Sequence, residues 1–267
     1  MTIEPLTGGQ ANTVFAVTVD SGERVVLRLH PRRDGFAGTV CTIEILKRLV
    51  LPVPRIYASG LAKDFSWLVL GWTPGRELRW ALADMTPAQQ TRVAEQVAGF
   101  QRQVSTLPHG DGFGYVPPRS PGTHATWEAL LAKHPRLSEA PADLHSYLKA
   151  VKPALFLDDI TGKNVIIEDG ELAGLIDLDY VCYGDPLYWL ALTHVGLVCD
   201  IGEPGDFYVS ELIRLWNPSA LERRALAFYA VLMADDFLAW FSDDENSEWR
   251  QRMLAARDQW LRVTSRA

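Results

Sequence analysis

Three oxygen-bearing side chains stand at a spacing that suits phosphate and metal chemistry: Asp159-x-x-x-x-Asn164, and then Asp177. A carboxylate and an amide carbonyl are hard oxygen donors. They suit Mg²⁺, which keeps several waters and takes its remaining ligands from substrate phosphates. A second carboxylate left off the metal can orient a hydroxyl and accept its proton. Taken singly each residue is ordinary, since Asp in a polar loop and Asn before a strand are common turn residues. The conjunction is not, because turn chemistry does not explain the spacing and the later Asp together.

Bringing them together needs a hairpin, and the sequence supplies one. Val165–Glu168 and residues 172–176 are short apolar runs, and Asp169-Gly170 between them provides the positive φ angles of a tight two-strand turn. Asn164 then stands at the start of the first strand and Asp177 just past the second, side by side at the open end. Asp159 lies in the polar, glycine-containing segment 158–163, which reads as a loop folding over that end.

Upstream, Gly8-Gly9 opens a strand carrying Phe15, Val17 and Val19 at every second residue, and Ser21-Gly22 turns the chain into a second strand, residues 24–29. Arg28 sits there among Val25, Val26, Leu27 and Leu29, so its charge needs a partner. Glu44 is the expected one, on a helix spanning 40–50 whose Ile43, Leu46, Lys47 and Val50 have helical spacing. Leu51-Pro52-Val53-Pro54 ends that helix. Residues 55–62 and 67–70 read as another strand pair, followed by the punctuated Gly71-Trp72-Thr73-Pro74-Gly75. Beyond it the chain turns helical. Thr86-Pro87 caps a helix with an apolar stripe at Val93, Val97, Phe100 and Val104, and residues 108–123 form a Gly/Pro-rich loop. Helices are expected at Trp127–Leu131, 142–151, 187–198, 218–241 and 247–265.

The residues Leu157-Asp158-Asp159, Asn164, Ile176-Asp177 and Gly184-Asp185-Pro186 resemble the catalytic region of the aminoglycoside phosphotransferase and choline kinase group. That group is a branch of the protein-kinase-like fold that phosphorylates small molecules. The resemblance implies an α+β, two-lobed fold, with a small antiparallel sheet and one helix in residues 1–71 and a larger, mainly helical lobe in 72–267. It makes Asp159 the catalytic base and Asn164 and Asp177 the Mg²⁺ ligands. Arg28 with Glu44 becomes the phosphate-holding pair, with Arg where the kinase pattern has Lys. Gly8 and Gly9 take the nucleotide-covering loop, and Gly71 and Thr73 the hinge, where main-chain groups read adenine. Asp185 helps fix the catalytic loop, although helix capping accounts for it equally. Asp235 and Asp236 stand where acidic residues hold substrate amines, although a solvated acidic face is the simpler account. The departures are Leu157 and Asp158 for the group's His-Gly, and Trp189 where a second Asp is frequent.

Composition bounds the rest. With 267 residues, 48% of them apolar, the chain can bury a large core. Cys41, Cys182 and Cys199 are odd in number and far apart, which argues against a disulfide framework or zinc site and for a reducing cytoplasm. No segment reads as a secretion signal or membrane span, and no histidine spacing suggests a metal site. A net charge of −7 gives no broad positive surface for nucleic acid. The expected protein is therefore a cytoplasmic monomer or homodimer, bound to neither membrane nor nucleic acid, using ATP or GTP with Mg²⁺ to phosphorylate an aminoglycoside-like hydroxyl. The alternatives are a kinase for a metabolic alcohol, such as a choline-like amine or a sugar, and a catalytically silent nucleotide-binding fold. Nine tryptophans leave room for an aromatic cage around a quaternary amine.

Overall fold

Alternating apolar residues and tight turns bring the strands between residues 13 and 71 into one antiparallel sheet. In the computed structural model, which describes residues 1–6, 12–108, 111–116, 120–179, 181–240 and 247–265, the first elements are β1 (Thr2–Leu6), β2 (Thr13–Thr18), β3 (Arg24–His30) and α1 (Ala37–Leu46). β4 (Ile56–Ala62) and β5 (Phe65–Gly71) complete a five-stranded sheet of order β1-β2-β3-β5-β4. Ser66, Leu68 and Leu70 alternate inward along β5, and the two leucines join the buried cluster that includes Ile43 and Leu46 of α1. Arg28 pairs across the ladder with Val14 on one side and Leu68 on the other. Directly opposed residues share a face, so Arg28 points from the side of the sheet that Leu68 buries.

The remaining chain is mostly helical. β6 (Arg76–Glu77), α2 (Leu78–Ala81) and α3 (Pro87–Ser105) come first. α3 begins in a capping box in which Thr86 and Gln89 satisfy each other's backbone N–H groups, and it buries Val93, Val97 and Val104. Then follow β7 (Gly114–Val116), α4 (Trp127–Leu131), α5 (Ala142–Ala150), β8 (Ala154–Phe156), β9 (Val165–Glu168), β10 (Glu171–Leu175) and β11 (Val181–Gly184). Four helices close the described chain: α6 (Leu187–Asp200), α7 (Asp206–Trp216), α8 (Ala220–Trp240) and α9 (Glu248–Thr264). Two three-stranded sheets, β10-β9-β6 and β7-β11-β8, carry the hairpin and the strand after it. Every residue from Ala225 to Ala234 is buried, so α8 is covered all round and runs through the middle of the helical region. No described helix is long and apolar enough to cross a membrane.

Several elements differ from the sequence expectation. β1 was not expected: all five of its residues are exposed and it carries Pro5, so only the ladder to β2 marks it as a strand. An edge strand tolerates such a proline. α1 is shorter than 40–50 at its end, because Lys47–Leu49 tighten into a 3₁₀ turn and Val50 adopts φ 57°. α7 was not read, although Tyr208, Val209 and Leu212 fall on one helical face. β6 is too short to leave a periodic signal.

Candidate active site

The loop before the hairpin is pinned from α3 and α6. Gln101 of α3 is 1% exposed and holds the backbone of Leu157 in both directions, donating from Nε2 to its carbonyl at 2.7 Å and accepting its N–H at 3.0 Å. Trp189 of α6 donates its indole N–H to the Ile160 carbonyl at 3.0 Å. Two of the departures from the family pattern therefore have structural work. Leu157 fills the core, and Trp189 braces the loop through its ring nitrogen. Asp159 lies between these anchors, its side chain partly desolvated by the surrounding protein yet still open to solvent, with Thr161 Oγ1 at 3.4 Å from its Oδ1.

The hairpin sets the other two groups beside it. Asp169 and Gly170 adopt φ 52° and 79°, the paired positive values that the tight turn requires, and β9 and β10 follow in antiparallel register. The Ile176 N–H donates to the Asn164 carbonyl at 2.9 Å, which closes the open end. Asn164 is 7% exposed and donates its Nδ2 to the Asp159 main-chain carbonyl at 2.8 Å, leaving the amide oxygen as its acceptor. Asp177 follows at once, in the left-handed region at φ 57°. Partial desolvation by the surrounding protein, then the neighbouring Asp177 charge, raise the Asp159 carboxyl to a pKa of about 6. The Asp177 carboxyl also lies above its ordinary value, from desolvation opposed by Arg28.

Arg28 reaches this cluster from the sheet, but not with the partner expected. Glu44 is exposed and pairs at 2.7 Å with Lys47, one turn on and just past the end of α1, so the anticipated Arg28 and Glu44 pair does not form. The guanidinium instead donates from Nη1 to Asp179 Oδ1 at 3.0 Å, and from Nη2 to Asp179 Oδ2 at 2.7 Å and Asp177 Oδ1 at 3.0 Å. Sequence reasoning passed over Asp179, and with it Thr39 of α1, whose hydroxyl donates to Asp179 Oδ1 at 2.8 Å. A carboxylate two residues beyond Asp177 with no local cation was the available signal.

The other expected site residues divide. Gly8 and Gly9 lie outside the described residues. Gly71 ends β5 with its N–H already given to the Arg55 carbonyl at 2.7 Å, so that group is not free to read a base. Thr73 leans on the hairpin: a Cβ at Gly174 would stand 2.7 Å from its Cγ2. Asp235 is neutralised within the chain by Arg136 at 2.6 Å and Arg257 at 3.1 Å, which removes it as a free substrate carboxylate. Asp236 meets His134 Nδ1 at 3.3 Å and also bears electrostatically on Tyr188, itself a neighbour of Asp158.

Asp185 is 5% exposed, and its hydrogen bonds run to helices, as the capping account expects, and not to the loop before the hairpin. It accepts the Leu187 N–H at the start of α6, Tyr147 Oη from α5 at 2.7 Å and Tyr229 Oη from α8 at 2.8 Å. Tyr229 in turn accepts the indole N–H of the wholly buried Trp127. Asp185→Ala should therefore destabilise the fold by about 3 kcal/mol, because the buried Tyr229 hydroxyl and the half-buried Tyr147 hydroxyl lose their acceptor, at roughly 1–3 kcal/mol for a buried group. Asp185→Asn, which keeps an acceptor oxygen, should lose clearly less. Urea midpoints of the two variants at equal m-value check this.

Asp158 replaces the group's glycine with a buried carboxyl whose Oδ1 has no hydrogen-bond partner among the described residues. Burial first, then the Asp159 charge, raise its pKa to about 7, with Lys133 opposing. The unfolded chain ionises near 3.8 while the folded one keeps the proton. This group's contribution to stability is thus present in full below pH 4 and lost as pH rises through 7. Asp158→Asn should match wild type in Tm near pH 4 and exceed it increasingly up to pH 8, as read by scanning calorimetry across that range.

A sheet with one helix on one side, a helical region on the other, and two carboxylates and an amide at the open end of a hairpin between them are the frame of a protein-kinase-like phosphotransferase. The chain belongs to the phosphotransferase enzyme family (APH), whose family model matches residues 2–229. Membership makes it a phosphotransferase acting on hydroxyl groups. No curated protein matches it. Among solved structures it is similar to a thermostable mutant of aminoglycoside phosphotransferase APH(4)-Ia in the apo form. The TM-score is 0.76 at 18% identity, over 100% of this chain and 96% of that one. A further variant of that thermostable protein, in ternary complex with ADP and hygromycin B, gives 0.74 at 18% identity, over 100% and 95%. The amicoumacin kinase hAmiN, in complex with AMP-PNP, Ca²⁺ and Ami, gives 0.66 at 13% identity, over 99% and 90%.

The donor set fits a hard divalent cation. Among the described residues no three His, Cys, Asp or Glu side chains gather as a metal site. Asp177 and the free oxygen of Asn164 offer one carboxylate and one amide, the sparse protein share that Mg²⁺ accepts when phosphates and waters complete its octahedron.

Proposed function

We propose that this protein transfers the γ-phosphate of ATP or GTP to a hydroxyl of a small, aminoglycoside-like substrate. The substrate oxygen attacks the γ-phosphorus, the bond from that phosphorus to the β–γ bridging oxygen breaks, the nucleoside diphosphate departs, and the hydroxyl proton passes to Asp159. Asn164 and Asp177 would hold Mg²⁺, which when bound neutralises charge on the phosphates. Arg28 reaches the phosphates from the sheet side, and the boundary between nucleotide-binding and substrate-binding lobes falls after Gly71. Phosphoryl transfer asks little covalent help of a protein, so positioning and charge carry the rate.

One observation carries the reading: Asp159, Asn164 and Asp177 share the open end of a single hairpin, with the buried Arg28 facing them from β3. Trp127 and Trp189 are buried completely, which withdraws them from any aromatic cage for a choline-like amine.

A coupled ADP-release assay with Mg²⁺ across aminoglycosides, macrolides, choline, ethanolamine and sugars tests the reading. Turnover confined to amino-sugar antibiotics is expected. Turnover on choline or ethanolamine alone would make the protein a metabolic kinase, and nucleotide binding without turnover on any acceptor would make it a silent fold.

A further inference from the structure

We infer that Asp179 is the positioning residue that aims Arg28 at the nucleotide phosphates, in the part that a carboxylate on α1 was expected to play; the inference rests on the nucleotide site proposed above.

Arg28 is 6% exposed, with the Phe36 ring 5.4 Å from its guanidinium carbon. A cation that is nearly dry needs a fixed anion, and a planar fork is held best by two oxygens of one carboxylate. Asp179 supplies both, taking Nη1 and Nη2, whereas Asp177 takes only a share of Nη2. The two carboxylates also differ in exposure, the Asp179 side chain being 22% exposed and that of Asp177 48%. The deeper one is built in and the open one is available to a ligand. Asp179 is itself held from two further elements, by Thr39 Oγ1 of α1 at 2.8 Å and by Asn12 Nδ2, just before β2, at 3.4 Å. One carboxylate therefore ties β3, α1 and the chain after the hairpin to the same guanidinium. When Asp177 turns to a cation, Arg28 gives up one of its three contacts and keeps the bidentate pair. Lysine at position 28 would have one nitrogen for this geometry, which accounts for Arg on this strand.

ADP titrations of the full chain, with and without Mg²⁺, test the assignment alongside steady-state kinetics. Asp179→Asn should weaken Mg²⁺-free ADP binding roughly tenfold, the lower end of what losing the supporting partner of a liganding group costs. The nucleotide KM should rise correspondingly while kcat stays nearly constant. Thr39→Val removes only one hydrogen bond to the same carboxylate and should cause a smaller loss in the same direction, which preserves the test should Asp179→Asn fold poorly. In an Arg28→Lys background, Asp179→Asn should add almost nothing, because residues acting through one another are not additive. Glu44→Gln should bind ADP as wild type does. Wild-type ADP affinity in Asp179→Asn or in a well-folded Thr39→Val, an undiminished effect in the Arg28→Lys background, or a tenfold loss in Glu44→Gln would each overturn the inference. Failure of the unmodified protein to bind ADP would instead remove the nucleotide site itself.

Discussion

Asp159→Asn is expected to lower kcat by roughly 10²–10⁴-fold, the share that a positioned general base supplies, while nucleotide binding stays close to wild type. The separation follows from how the residue is held. Asn164 grips the main-chain carbonyl of Asp159, and the neighbouring backbone is fixed through Leu157 by Gln101 and through Ile160 by Trp189. Exchanging the carboxylate for an amide leaves all of these contacts in place. Only the proton acceptor disappears. The same carboxyl sets a pH limit: partial desolvation and the Asp177 charge raise it to about 6, and it serves as a base only when ionised. Nucleotide-limited kcat/KM, which reports the free enzyme, should therefore fall as pH drops through 6 in the wild type. The residual activity of Asp159→Asn should lack that acid limb. Wild-type turnover in the variant, or an unchanged acid limb, would take the base assignment away from Asp159.

Much of the architecture was legible because it rests on local chemistry. Asp169-Gly170 between two apolar runs fixes a hairpin whatever surrounds it, and Thr86-Pro87 before a valine stripe fixes a helix start. The spacing of Asp159 and Asn164 across a short loop then carries the candidate site with it. What could not be read is which partner a charge finds at long range. Glu44 has a lysine one turn away, at the 3₁₀ turn that follows its helix, and that local pair forms instead of a reach toward the sheet. Asp235 is met by Arg136 and Arg257, each far away in sequence. Asp179 belongs to no regular element, so no periodicity aims it at Arg28. Gln101 is a different kind of miss, because its signal was present. It lies on the buried stripe of α3 between Val97 and Val104, and a polar residue in such a position must find a buried hydrogen bond. It finds two on the Leu157 backbone.

Asp177→Asn should lower kcat/KM on the order of 10²–10³-fold, the effect of removing one group aimed at charge that develops in the transition state, without costing the fold. The backbone makes the second half of that expectation unusual. Asp177 is held at φ 57°, a region where a side chain is normally a burden but where Asn is among the best tolerated residues. The substitution thus removes a charge with no new strain, and it also relieves the repulsion between Asp177 and Asp159. Tm should be equal to wild type or higher. Binding should change selectively. Arg28 keeps its two contacts to Asp179, so ADP affinity without Mg²⁺ should hold, while the gain in affinity on adding Mg²⁺ should vanish. This is the reverse of the pattern expected for Asp179→Asn, where Mg²⁺-free binding weakens. Parallel ADP titrations of both variants with and without Mg²⁺ read the division directly. A full Mg²⁺ gain in Asp177→Asn would mean that the cation is held by other groups, whereas loss of Mg²⁺-free binding there would mean that Asp177, and not Asp179, orients Arg28.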